Sequence, residues 1–75
     1  MFVAKTLTST PIYKAFASSQ AAQRWAENDA YLEHEAQQCQ IYRTVSRLNP
    51  MQAIAAVKMG KAEPLLTVRR RGDVD

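Results

Sequence analysis

One cysteine, one histidine and two glycines are all that 75 residues supply of those types. A lone Cys39 cannot form an intramolecular disulfide, whereas a secreted domain this small usually carries several. The expected setting is therefore a reducing one, the cytoplasm. Phosphate-cradling glycine loops are missing: neither GxGxxG nor a P-loop occurs, nor do GxSxG or HExxH. Long apolar runs are missing too, none approaching the ~18 residues that a membrane span needs. At the start, "MFVAKTLTSTPIYKAF" has a lysine inside its apolar stretch and does not read as a signal peptide.

Groups able to act together chemically are equally sparse. His34 and Cys39 stand five apart, which on a helix turns them to different faces. Glu33 with Glu35, and Glu27 with Asp29, diverge in the same way. The i,i+4 pairs His34–Gln38 and Glu35–Cys39 offer one or two metal ligands each, where structural zinc takes four. These patterns argue against an enzyme, a metal site or a cofactor. Cys39 reads as a small buried hydrophobe and His34 as a solvated helix residue.

What is present is ordinary for a folded protein: 47% hydrophobic and 23% charged residues. One small domain is expected over residues 1–75, with 71–75 as a tail. A chain this short buries only roughly 60% of its unfolded surface, and gaining a partner is a common remedy.

Along the chain, "FVAKTLT" at 2–8 alternates and is rich in β-branched residues, so it predicts a strand. "STP" makes a turn and "IYKAF" at 12–16 a second strand. "SSQAAQRWAENDAYLEHEAQQ" then favours a helix, capped by Ser18 or Ser19, with Ala21, Trp25, Leu32, Ala36 and Cys39 as its apolar stripe. Residues 40–47, "QIYRTVSR", carry strand-forming side chains but keep helical spacing as well; a strand is preferred, since a single helix of some 30 residues would be unusual. Asn49, Pro50 and Gln52 form the start signal of a second helix, and Gly60 its stop. Met51, Ile54, Ala55, Val57 and Met59 leave that helix little polar surface, so it should be well buried or covered by a partner. "PLLTVRR" at 64–70 predicts a last strand. The order is ββαβαβ, an α+β fold with one antiparallel or mixed sheet of three to four strands packed against two helices.

Charge is unevenly spread. Glu27, Asp29, Glu33 and Glu35 crowd into one helix, whereas Arg43, Arg47, Lys58, Lys61, Arg69, Arg70 and Arg71 face only Glu63 between positions 36 and 71. The expectation is an electrically two-ended molecule whose acidic helix and basic half are candidate partner-binding surfaces. If the strands at 40–47 and 64–70 are neighbours, their arginines are expected to collect on one sheet surface fit for phosphates or an acidic protein. Arg69 and Arg71 should then share a strand face. Tyr42 is the only aromatic near these positions in sequence, which disfavours a base-stacking surface. The tripeptide Arg71-Gly72-Asp73 matches a receptor-binding motif, but three fixed residues recur by chance and that reading needs an extracellular protein. It reads as coincidence, with Gly-Asp supplying turn chemistry.

Were 40–48 helical, "YRTVSRLNPMQAIAAVKMGKAEPLLTVRRR" would resemble winged helix-turn-helix or excisionase proteins, implying a nucleic-acid binder with a basic C-terminal surface. "MQAIAAVKM" is too apolar for a recognition helix, however. In size, charge and element order the chain is similar in style to short phage and mobile-element proteins, anti-CRISPR inhibitors among them. That likeness implies an adaptor or stoichiometric inhibitor directed at a host nucleic-acid-processing complex, and carries over no residues. The partner expected is a protein, with nucleic acid as the alternative, no membrane, and a homodimer compatible with the small size.

Overall fold

The computed structural model describes residues 1–45 and 47–71. The elements in order are β1 (Phe2–Thr6), β2 (Tyr13–Phe16), α1 (Ser19–Arg24), a π-helical turn (Trp25–Asp29), α2 (Ala30–His34), β3 (Gln38–Arg43), α3 (Pro50–Lys58) and β4 (Glu63–Arg69). The three helical stretches from Ser19 to His34 run on without a break, so the fold is two helices and one sheet in the order ββαβαβ. Four strands lie side by side as β2-β1-β3-β4, every neighbouring pair antiparallel. Residues 40–43 belong to a strand, which removes the two-helix arrangement that a winged helix-turn-helix needs. Arg71 follows β4 in a turn, and the rest of the expected tail, Gly72 and Asp73 of the RGD motif included, lies outside the described residues.

Local chemistry accounts for the boundaries. Ser18 has extended backbone and its hydroxyl accepts from Ala21 N at 3.1 Å, an N-cap for α1. Asn49 and Gln52 form a full capping box: Gln52 N donates to Asn49 Oδ1 at 2.8 Å, and Asn49 N to Gln52 Oε1 at 3.1 Å. Pro50 opens α3, where its missing N–H costs nothing. Gly60 closes it with φ +74°, a conformation that suits glycine.

Strand alternation puts Val3 and Ala4 on opposite faces of the sheet, and a helix covers each. The first helix brings Ala22, Trp25, Ala26 and Ala30 against Ala4, Cys39, Ile41 and Val68, with Phe2 and Phe16 alongside. Against the other face, Ala53 and Val57 of α3 meet Val3, with Tyr13, Ala15 and Tyr42 partly buried around them. The layers are therefore helix, sheet, helix.

The expected stripe of the first helix is corrected at two points. Trp25 is 4% exposed, but Leu32 is 78% exposed. Between them the chain makes a π turn, in which Ala30 N donates to Trp25 O five residues back. An added residue per turn rotates everything after it by about one position, some 100°. Leu32 thus leaves the face that an unbroken α-helix would have kept. Ala36 and Cys39 lie beyond the helix, which ends at Glu35 in the left-handed region with φ 55°. Both are buried from their new places, Cys39 in β3.

Candidate functional site

The antiparallel register separates the basic residues. Gln38 pairs with Arg69 at one end of the β3–β4 ladder and Arg43 with Glu63 at the other, about 17 Å apart for strands of this length. Alternation also sends Arg43 to the face of Cys39 and Ile41, and Arg69 to the face opposite Val68. The strands are neighbours as anticipated, but the guanidinium groups do not collect on one surface. Arg71 is past the end of β4 and shares no strand face with Arg69.

At one end, the C-terminal arginines meet the acidic helix. Arg71 N donates to Glu27 O at 2.6 Å. The Arg70 guanidinium stacks over Tyr31, 4.0 Å from the ring centroid, while its Nε donates to Gln37 Oε1 at 2.7 Å. Tyr31 is thus a second aromatic beside the basic positions, missed because it lies 39 positions away in sequence, and its face is occupied by Arg70. Asp29, Glu33 and Glu35 are exposed, and Glu27 half-buried, on the same helix. Arg71 also shares a polar cleft of about 460 Å³ with Arg24, Gln20, Gln23, Glu27 and Asn28. Folding therefore brings Arg70 and Arg71 back to the helix that carries the acidic residues, with Glu27 beside Arg71 in the cleft.

The other end is different. Arg43 Nη2 and Glu63 Oε2 form a 2.8 Å ion pair, exposed on both sides. With Thr44, Val45 and Lys61 they line a shallow cleft of about 270 Å³. Lys58 Nζ sits 5.0 Å from the Tyr13 ring centroid, a cation–π contact. Arg47 and Lys61 are exposed, and among the described residues neither has a carboxylate within ion-pair distance.

Between these cations runs the outer face of α3. Ala53 and Val57 turn inward, so the residues half a turn away face water: Met51 is 82% exposed and Met59 64%, with Ala55 exposed between them. Of the two fates anticipated for this helix, burial within the domain is ruled out. Its inner face is covered and its outer face is apolar and open. Val45, 69% exposed, adds to the apolar surface at the neighbouring cleft. The spacing of Met51, Ala55 and Met59 is readable from sequence; which face the sheet takes is not.

Cys39 is fully buried, and burial pushes its thiol up to about 11. The thiolate needed for nucleophilic or metal chemistry is disfavoured there. Among the described residues no three His, Cys, Asp or Glu side chains gather where they could hold a metal ion, and no helix is long and apolar enough to cross a membrane. No protein-family model, curated protein or solved structure matches the chain.

Proposed function

We propose that this chain is a non-enzymatic protein-binding module, an adaptor or stoichiometric inhibitor working in the cytoplasm. The observation that carries this reading is the outer face of α3, where Met51, Ala55 and Met59 form an exposed apolar stripe at helical spacing. A contiguous apolar patch rimmed by polar groups is what protein-binding surfaces present to water. Methionine suits such a face because its flexible thioether adapts to a partner's shape. The cations around the stripe, Arg47, Lys58 and Lys61, supply steering and selectivity more than affinity. A host nucleic-acid-processing complex is the target class that the phage-like style implies.

Two measurements test the reading. Fluorescence anisotropy with labelled duplex and single-stranded oligonucleotides, at about 50 and about 200 mM salt, should show no low-micromolar binding. Tight binding with a steep salt slope would instead make the arginines phosphate contacts and overturn the proposal. A photo-crosslinking amino acid at position 55 should form a discrete protein adduct in cells, lost when Met51→Glu and Met59→Glu are introduced together. An unchanged adduct in that double variant would show that α3 is not the binding face.

A further inference from the structure

The partner surface that fits α3 has a definite chemistry, and we infer that it is an acidic amphipathic helix of another protein. This rests on the protein-binding reading above and specifies the occupant of the same face. Ala55 is small and lies one turn from Met51 on one side and from Met59 on the other. The two long, flexible side chains therefore flank a small one, and an apolar anchor of an incoming helix can pack over Ala55 between them. Such apolar anchors in a groove are how amphipathic helices are commonly recognised.

Charge decides what must surround that anchor. Arg47 precedes the helix, Lys58 ends it and Lys61 follows it, so the stripe has a cation at each end. Glu63, the one described carboxylate on the segment after α3, is already held by Arg43. Carboxylates on the incoming helix thus meet positive charge at both ends of a nine-residue element about 13 Å long. Three turns of partner helix span that distance.

Other occupants fit less well. A second copy laid antiparallel would set Arg47 against Lys58 and Lys61 of its mate, like charge on like. Three side chains also fall far short of the roughly 800 Å² per partner that a stable dimer buries. The chain's own exposed Leu32 does not serve as the anchor either, because Arg70 and Arg71 line the surface beside it. Nucleic acid would satisfy the cations but leave the methionines in water. The aromatics on this side, Tyr13 and Tyr42, are partly buried against α3, and Lys58 covers the Tyr13 ring, so they offer no open stacking platform.

The probe is a fluorescein-labelled synthetic peptide of about 16 residues, long enough to form helix, with leucines at i, i+4 and i+7 and glutamates on either flank. Anisotropy with the full chain should give micromolar affinity at about 50 mM salt and weaker binding at about 200 mM. The Met51→Glu, Met59→Glu variant should bind at least tenfold more weakly, and Lys61→Glu several-fold more weakly. A matching peptide with every glutamate replaced by lysine should not bind. Circular dichroism of each variant checks that the exposed substitutions leave the fold intact.

Equal binding of the acidic and basic peptides would overturn the inference, as would equal binding of a leucine-to-serine version. So would no binding at about 200 µM peptide. If the peptide fails while the adduct at position 55 still depends on Met51 and Met59, only the acidic helix is lost and the protein-binding reading stands. If both fail, both fall.

Discussion

The two faces of the sheet are covered by different means. Under the first helix, small side chains make up most of the contact: Ala4, Ala22, Ala26, Ala30 and Ala36 are buried, letting the helix lie close to the strands. Trp25, the largest group there, packs among Ile41, Val68 and Phe2 and is tilted against Phe16 with ring centroids 6.0 Å apart. Under α3 the fully packed set is three residues, Val3, Ala53 and Val57, and the rest are only partly buried. Burial of apolar surface stabilises in proportion to area, so the first face should dominate folding. The second holds its helix more lightly, and the methionines on its outer side face water. A domain with little core has thus concentrated it on one side.

The largest expected effect breaks the heavier face. Trp25→Ala should cost about 3–5 kcal/mol, enough to unfold much of the population of a domain this small. Val57→Ala, on the α3 side, should cost nearer to about 1–2 kcal/mol by the same reasoning, since it removes less volume from a less enclosed place. Urea denaturation followed by circular dichroism measures both. Trp25→Phe sharpens the comparison. The indole Nε1 is buried with no acceptor among the described residues, a situation that costs about 1–3 kcal/mol. Replacing the ring by one without that N–H should therefore lose clearly less than truncation does. If Val57→Ala proves the more damaging change, the assignment of stability to the first face is wrong.

Much of this fold was legible because its signals are local. Asn49, Pro50 and Gln52 are steps of one capping device, and all three act where spacing put them. Turn residues between runs of β-branched side chains located the strands in the same way. Pairing is not local: nothing in "QIYRTVSR" or "PLLTVRR" says that they run antiparallel, so the end-to-end separation of Arg43 and Arg69 had to come from the structure. The π turn was hidden for a related reason. A periodicity of 3.6 presumes an unbroken α-helix, and one inserted residue after Trp25 moved Leu32 off the face it was assigned to. Where the C-terminal arginines lie was hidden by distance in sequence, since Arg70 and Arg71 return to the helix that carries the acidic residues. The methionines of α3 lie between these cases. Their spacing was plain, but their exposure depended on which flank of the helix met the sheet.

A second, intermediate effect tests the enclosure of the first face by pH. Cys39 is buried among the residues that face the first helix, and its thiol is raised from 9.0 to about 11 by desolvation. The sign follows from proton binding. Between pH 9 and 11 the folded chain keeps a thiol proton that the unfolded chain has largely lost. Raising the pH through that window therefore favours unfolding. The loss attributable to Cys39 should approach about 2–3 kcal/mol, because a tenfold difference in proton affinity between the folded and unfolded chains is worth about 1.4 kcal/mol. Comparing denaturation midpoints from pH 8 to 11 in the native chain and in Cys39→Ala isolates it, since the variant has no thiol to titrate. In parallel, iodoacetamide at pH 8 should modify Cys39 slowly in the native chain and rapidly in denaturant. Equal rates would mean that the face is more open than its packing shows.

The smallest expected effect concerns how the first helix ends, and it goes the other way. Glu35 is the one non-glycine residue with positive φ among those described, at 55°. Its amide donates to Tyr31 O at 2.7 Å and Ala36 N to Ala30 O at 3.3 Å, so the left-handed turn closes the helix and delivers the chain to β3. A side chain in that region is strained by roughly 1–2 kcal/mol, a strain that glycine lacks. Glycine also makes the unfolded chain more flexible, which offsets part of the gain. Glu35→Gly should therefore stabilise the protein slightly, by about 0.5 kcal/mol, whereas Glu35→Ala removes the same carboxylate and keeps the strain. The difference between these two variants, read as a shift in denaturation midpoint, reports the backbone alone. Should the alanine variant gain as much as the glycine one, the benefit would come from lifting a negative charge off the C-terminal end of the helix, where the dipole disfavours it.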